Sequence, residues 1–491
     1  MDPLIIGLDL GTTLCKATAF ELDGIQRATS IAVISTYRPQ PGWAEQDPVE
    51  WIAAIHTVLS EVCRQLGPQA YRVTAIGLSS HGPSLIPTDG HYQPLAMAPI
   101  WQDQRAAHLC QELLDIAGNQ WVGLGMPESS FAVKLFWTMR TQPELIERAA
   151  YLFDVKGFLL ATLTGQAVDE TSSSPGGRGW NRSTYEQLKV DMAKMPQTVS
   201  SITQVGKLLP VLADEIGLSR EVVVVAGLND GAAATLGAGV IKNGQGIVSL
   251  STNGVLRTVV RDRVPGNKLV SNSLFCYSYV NDQFIVGGTT KCGGDSVRWF
   301  IDTFLGGYPV EHSFDLIGND ANASPIGANG VLFMPYLMGM GSPHSRKESQ
   351  GAFVNLGRHH QRADMTRALL EGVAFSLRDI GEMFNYLKWS WGDLRFTGGG
   401  SKNPVWRQIV SDVLDKPLTG VSADSVLGAA ITAVVACNYI SSIQTVVTEW
   451  VRPTFYIEPL GENVRRYEEI YQNFVHVRQN LDTSLISRHR G

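Results

Sequence analysis

Two carboxylates stand where the surrounding sequence gives them no ordinary employment. Asp230 follows the apolar run EVVVVAG and opens a stretch of almost nothing but Gly and Ala within GLNDGAAATLGAG (227–239). Asp9 lies inside another apolar run, LIIGLDL (4–10), where a buried, unpaired carboxylate is costly or takes up a proton. Just beyond it, Gly11-Thr12-Thr13 and then Lys16 offer backbone amides, two hydroxyls and a cation. A third segment, LRFTGGGSKNPVWRQIVSDVLDKPL (394–418), runs through Gly398-Gly399-Gly400 to Asn403-Pro404. Gly lets amides approach an anion closely, and a helix amino terminus reinforces the attraction. Such residues can hold phosphate groups beside an acid able to accept a proton. Taken singly, each has a plainer reading: Gly and Thr are common in hairpin turns, and an Asp before a helix is commonly its cap.

The elements that must position these residues are legible in outline. Short apolar runs alternating with longer amphipathic stretches predict an α/β protein. Strands are expected at LIIGLDL (4–10), VTAIGLS (73–79), VVVVAG (222–227), GIVSLS (246–251) and LRFTG (394–398). Residues 5–24 read as strand, tight polar turn, strand and a further turn at Asp23-Gly24. Residues 246–262 repeat that grammar with Ser251-Thr252-Asn253-Gly254 at the tip, which points to two related halves. Asn403 can cap a helix that takes Pro404 in its first turn, with Val405, Ile409, Val413 and Leu414 as its buried stripe. The apolar stretch VLGAAITAVVACNYI (426–440) is shorter than the ~18 residues that suggest a membrane span, and predicts a buried helix.

A chain of 491 residues is too long for one ordinary core, so two or more domains are expected. The net charge of −6 argues against a nucleic-acid or membrane partner, because phosphate surfaces are met by clustered Lys and Arg. Six cysteines without a Cys-x-x-Cys pair fit reduced thiols and a cytoplasmic location. No basic region precedes the first apolar run, so a signal peptide is not expected. The chain lacks G-x-x-x-x-G-K-[ST], G-x-G-x-x-G in a strand-turn-helix setting, H-E-x-x-H and G-x-S-x-G. That excludes the P-loop, dinucleotide, zinc-protease and nucleophile-elbow classes.

With these pieces placed, the chain resembles the FGGY carbohydrate kinases along nearly its full length. The likeness is carried by GLDLGTTLCKA (7–17), GWAEQDPVEW (42–51), IWQDQR (100–105), VKLFW (133–137), GLNDGAAATLGAG (227–239), GANGVLFMPYL (327–337), GAFVNLGRHHQRADMTRALLEGVAF (351–375) and FTGGGSKNPVWRQIVSDVL (396–414). The resemblance implies an α/β fold of two ribonuclease-H-like domains, of the actin and hexokinase type, around a central cleft. We expect them at residues 1–242 and 243–491, the second ending in a C-terminal helix. It further implies ATP- and Mg²⁺-dependent phosphorylation of a small sugar or polyol, with a homodimer as the expected assembly. By the family pattern Asp230 is the general base and Asp9 the carboxylate near Mg²⁺ and the phosphates. Gly11, Thr12, Thr13 and Lys16 match the first phosphate turn, and Thr252 the second. Gly294 and Arg298 fall where the family contacts nucleotide, and Gly399 and Asn403, with Gly400 between them, match its adenosine-binding positions. Ser80, His81, Gly82, Trp101, Asp103 and Asn229 fall at the sugar end.

The departures from the pattern gather at that sugar end. Xylulokinases and gluconokinases usually carry Met-His in the loop that here reads SSHGPSLIPTD (79–89), where Gly82-Pro83 occupy those places and His81 comes two positions early. The family's Gly-Glu-Arg-x-Pro is replaced by Gly339-Met340-Gly341-Ser342-Pro343, and GMPESSFAVKLFW runs about two residues short. The phosphate machinery is therefore expected intact and the sugar pocket rebuilt. The helix after Asp230 and the surroundings of Trp101 suit a xylulokinase-like enzyme, whereas Ser79-Ser80, Asn229-Asp230-Gly231 and Phe275-Cys276-Tyr277 are similar to gluconokinases. A ketopentose such as xylulose is the first expectation, and gluconate or another sugar acid or polyol the second. A catalytically weak sugar-binding protein on the same fold is the remaining alternative.

Overall fold

All five strands expected from sequence form, and each belongs to one of two large sheets. The computed structural model describes residues 2–118, 127–173, 181–306, 310–422 and 424–488. The opening of GMPESSFAVKLFW, with its expected shortening, lies outside the described residues. The first sheet comprises β1 (Leu4–Leu10), β2 (Leu14–Phe20), β3 (Gln26–Val33), β4 (Val73–Ser80), β5 (Gln204–Lys207) and β6 (Val223–Asn229), in the order β5-β6-β4-β1-β2-β3. The second comprises β7 (Gln245–Leu250), β8 (Gly254–Val260), β9 (Phe275–Ser278), β10 (Phe284–Thr289), β11 (Asp393–Thr397), β12 (Leu418–Val421) and β13 (Pro453–Ile457), in the order β9-β10-β8-β7-β11-β12-β13.

The repeated hairpin is the centre of each sheet. β1 pairs antiparallel with β2 and parallel with β4; β7 pairs antiparallel with β8 and parallel with β11. Two domains built on one plan follow from this, and the strand alternation assigns their faces. Leu4, Ile6, Leu8 and Leu10 of β1 face a core completed by α1 (Pro48–Leu66) and α2 (Val155–Thr164). Asp47 starts α1 by accepting the Val49 N–H at 2.9 Å, with Pro48 in the first turn.

The other face of the first sheet is covered from far along the chain. Ile5, Ala75 and Val225 share a core with α7 (Ser425–Ala436), the apolar segment read as a buried helix. Gly7 and Gly77 let that helix press on the strands: a Cβ at Gly7 would stand 2.0 Å from the Val426 carbonyl oxygen, and one at Gly77 1.9 Å from that of Ala429. Beside α7 lies α3 (Asp230–Gly237), close enough that a Cβ on Gly428 would meet the Ala233 oxygen at 1.9 Å. Ala232 and Leu236 of α3 join Ile247, Val259 and Ile285 of the second sheet in the same core. The small-residue pair α3–α7 thus fills the space between the sheets. Outside the second sheet pack α4 (Gly294–Phe304), α5 (Arg362–Tyr386), α6 (Pro404–Leu414) and the terminal α8 (Gly461–Arg488), through Phe300, Leu369, Val410 and Tyr467 among others. No helix among the described residues is long and apolar enough to cross a membrane.

Candidate active site

The register of the first sheet gathers the sequence-predicted acids. Leu10 lies beside Ser80, and Ser80 beside Asn229, so β1, β4 and β6 open their carboxyl ends at one place, the usual position of a site in such a sheet. Facing them is the turn between β7 and β8. The cleft between has a volume of about 880 Å³, and its walls include His81, Trp101, Asp230, Thr252, Arg257 and Tyr277.

Asp230 is the first residue of α3 and is not its cap. Asn229 is the cap: its Oδ1 accepts the Ala232 N–H at 2.8 Å, and its Nδ2 donates to the Ser172 oxygen at 2.8 Å. The amide expected to meet sugar is thereby committed to the helix start, and the Asp230 carboxylate is released toward the cleft. Its Oδ1 accepts only the Gly231 N–H, at 2.6 Å. Asp230 is accessible to solvent in the cleft, yet at its floor the dense surrounding protein governs the local polarity. Burial and then the charge of Asp9 raise its pKa to about 6, against the opposing pull of Arg257. At neutral pH such a group is ionised and still a useful proton acceptor.

Asp9 leaves β1 one register step before the turn, opposite Lys16 on β2. Its Oδ1 is buried with no hydrogen-bond partner. Burial raises its pKa, offset in part by the nearby hydroxyls of Ser79 and Ser425. Lys16 does not neutralise it. The ammonium pairs instead with Asp424, which caps α7 through the Val426 N–H at 3.0 Å. Gly11 closes the turn by donating to the Leu14 oxygen at 2.9 Å, and Thr13 is exposed at the tip. Thr12 ties the turn to the sugar end: its Oγ1 accepts from Trp101 Nε1 at 2.9 Å, and its carbonyl from Gln46 at 2.7 Å.

On the side expected to take sugar, His81 is buried on the cleft wall, with neither ring nitrogen hydrogen-bonded among the described residues. Burial, helped by the charge of Lys134, depresses its pKa to about 4. A neutral imidazole there offers one donor and one acceptor. The rebuilt loop is held from below: Asp154 Oδ1 accepts the Ser84 N–H at 2.7 Å, and Lys134 Nζ donates to the Pro83 oxygen at 3.3 Å. Burial pushes the Asp154 pKa up and that of Lys134 down, each resisted by the other's charge. Gly82 lies over Asp154, and Ser80 Oγ is buried without a partner. Asp103 is buried and its carboxylate is engaged. Its oxygens accept from the Ala44 N–H at 2.7 Å and from Arg105 Nη2 at 2.7 Å. It anchors Arg105, which lies over Trp43 at 3.5 Å, rather than offering a free carboxylate to a sugar.

On the side expected to take nucleotide, Thr252 lies on the cleft wall, and its carbonyl accepts the Asp295 N–H of α4 at 3.1 Å. Gly294 opens α4 and donates to the Ser251 oxygen at 2.6 Å, and Arg298 is exposed one turn later. The three glycines divide their work. Gly398 has φ +89° and backs onto the Leu250 oxygen, Gly400 packs under Trp406, and only Gly399 is open, with nothing near its Cβ position. Asn403 caps α6 as expected, accepting the Val405 and Trp406 N–H groups at 3.0 and 3.1 Å.

Three residues at or behind the cleft had not been singled out as site residues from the sequence. Lys156, buried in α2, donates to the Leu78 and Leu228 oxygens at 2.9 Å each, bracing β4 against β6. Arg257 of β8 and Tyr277 of β9 enter from the second sheet. The available signal was a lone charge inside the apolar strand GVLRTVV, the same anomaly that marked Asp9.

Family models fit both halves of the chain. Residues 4–237 match the N-terminal domain, and residues 260–437 the C-terminal domain, of the FGGY family of carbohydrate kinases. The chain is 30% identical over 478 residues to a xylulose kinase of Staphylococcus epidermidis, covering 95% of each. It is 26% identical over 518 residues to a gluconokinase of Bacillus subtilis, covering 100% of this chain and 99% of that one. A gluconate kinase structure from Lactobacillus acidophilus superimposes with a TM-score of 0.90 at 22% identity, over 98% of both chains.

Proposed function

The chain belongs to the FGGY family of carbohydrate kinases, and from that membership we propose that it moves the γ-phosphoryl group of ATP to a hydroxyl of a small sugar or sugar derivative, with Asp230 as general base. The observation that carries this reading is the placement of Asp230 at the cleft floor, released from capping by Asn229 and facing the two phosphate turns. The acceptor oxygen forms its bond to the γ-phosphorus as the bond to the β–γ bridging oxygen breaks. The hydroxyl proton passes to Asp230, and ADP departs. Little covalent help is required; positioning, neutralisation and exclusion of water do the rest.

Gly11, Thr12, Thr13 and Thr252 serve the phosphates in this reading, and Gly294, Arg298, Gly399, Gly400 and Asn403 the nucleoside. Lys16 holds the first turn to α7. Among the described residues no group of three or more His, Cys, Asp or Glu side chains could hold a metal, but Mg²⁺ accompanying ATP needs only one or two protein carboxylates. Asp9, with a buried and unpartnered oxygen, fits that part. The cation would offset the charge of the transferring phosphates. His81 and Trp101 orient the sugar, while Asp103 and Asn229 set the wall and helix behind it. The domain boundary is placed between residues 242 and 243, ahead of β7.

A xylulose-type ketopentose keeps the support of the S. epidermidis relative, and a gluconate-type acid that of the B. subtilis relative. Coupled ADP release with ATP and Mg²⁺ over ketopentoses, aldonates, uronates and polyols tests the kinase reading. Acceptor-dependent ADP release is expected. Hydrolysis independent of any acceptor, or acceptor binding without turnover, would overturn it.

A further inference from the structure

Arg257 is a cation on the cleft wall that closes no ion pair among the described residues. It projects from β8, between Ile247 of β7 and Gly287 of β10. Its Nε is buried with no partner, and its one hydrogen bond is a long one, 3.4 Å, from Nη1 to the Gly231 oxygen. Among the described residues no carboxylate comes within 4.0 Å of the guanidinium. The contrast with Arg105, Arg367 and Arg478 is direct, because each of those near-buried arginines has a carboxylate partner. A second orphan stands close by. Tyr277 Oη is buried without a partner near Gly231, at 2.6 Å from where a Cβ on that glycine would be. Phe275 stacks on Tyr277 with centroids 5.5 Å apart, and lies 5.9 Å from the Arg257 guanidinium carbon.

Arg257 is partly exposed to the cleft, so its charge is open to a ligand there, and its planar fork matches a carboxylate. A neutral sugar would bring this cation no anion of its own. We propose that the acceptor is a sugar acid, an aldonate or uronate, whose carboxylate is taken by Arg257 with the Tyr277 hydroxyl as a further donor, while a hydroxyl elsewhere on the same molecule meets Asp230. This rests on the kinase reading above, and it reverses the order of acceptors expected from sequence. Asp230 does not satisfy Arg257 itself, since the two carry opposite charges in one cleft without closing an ion pair. The acid would therefore be held between walls contributed by both domains.

The test uses matched acceptors that differ at one carbon, D-gluconate against D-glucitol, with D-xylulose as a third arm, in coupled ADP release. The wild-type enzyme is expected to favour the acid over the polyol by roughly 100-fold or more in kcat/KM. In Arg257→Met that ratio should fall toward unity, chiefly through KM for the acid. Arg257→Lys should recover part of it, and Tyr277→Phe should lower it by about 10-fold. Wild-type preference for xylulose or glucitol over every aldonate and uronate would overturn the inference and leave the kinase reading standing. An Arg257→Met variant that loses kcat equally on acid and polyol would also overturn it, assigning the arginine to the phosphoryl group. ADP release with no acceptor at all would instead remove the kinase reading. Should Arg257→Met fail to fold, by circular dichroism, Tyr277→Phe and the wild-type acid-to-polyol ratio decide.

Discussion

The two central hairpins share a topology and divide their charges in opposite ways. On β1–β2 the acid is left alone: Asp9 has an unpartnered oxygen, while Lys16, its register neighbour, is drawn off to Asp424. On β7–β8 the cation is left alone: Arg257 has no carboxylate partner among the described residues, and its register neighbours are Ile247 and Gly287. The acid sits on the first strand of its hairpin and the cation on the second strand of the other. An orphan anion on one wall and an orphan cation on the other leave the cleft incomplete in two distinct ways. We read the first as the demand of a metal–nucleotide and the second as the demand of an acidic acceptor.

The sharpest way to break that reading is at the base. Asp230→Asn should lower kcat by about 10³–10⁴-fold while calorimetry shows nucleotide affinity changed by less than about threefold. Unaltered turnover would end the assignment. Asp9→Asn is the next largest expected effect. Removing the orphan acid should cost roughly 10²-fold in kcat and raise the Mg²⁺ concentration required for half-maximal rate, read by metal titration at fixed ATP.

A pH profile then probes how the two walls influence each other. Asp230 must be ionised to accept a proton, and burial has raised its pKa to about 6. The rate at subsaturating acceptor should be level above that pH and fall about tenfold per unit below it. Arg257 lowers that pKa, so Arg257→Met should move the acidic limb to higher pH. A limb that stays put would mean the cation is too well screened to act on the base. The smallest effect is expected at Trp101→Phe, which loses the 2.9 Å bond to Thr12 but keeps the ring. A net hydrogen bond is worth about 1 kcal/mol, hence an increase in acceptor KM of roughly fivefold with kcat little altered.

What could be read in advance followed from local pattern. The hairpin at 5–24 and its echo at 246–262, the stripe of α6, and the carboxylate before a bare helix all declared themselves within a dozen or so residues. What escaped was pairing at a distance. Lys16 reads as a phosphate cation, and nothing local announces its pairing with Asp424, 408 residues away. Arg257 reads as a strand residue until the second sheet turns one face into the cleft. The three glycines read as one loop for a ligand, but two of them are required by the close approach of Leu250 and Trp406. The hydrogen bonds that engage Asp103 and Asn229 escaped as well, because neither Arg105 nor Ser172 announces its partner in the sequence.

The seating of α7 on the first sheet carries a consequence for how the chain can be divided. A fragment ending at residue 242 would present Gly7 and Gly77 as a bare strip of strand backbone, its covering helix still attached to the other piece. Expressed separately, the two pieces should be poorly soluble. Expressed together they should reassociate, with the Gly-lined strip acting as the socket and residues 425–436 as the plug.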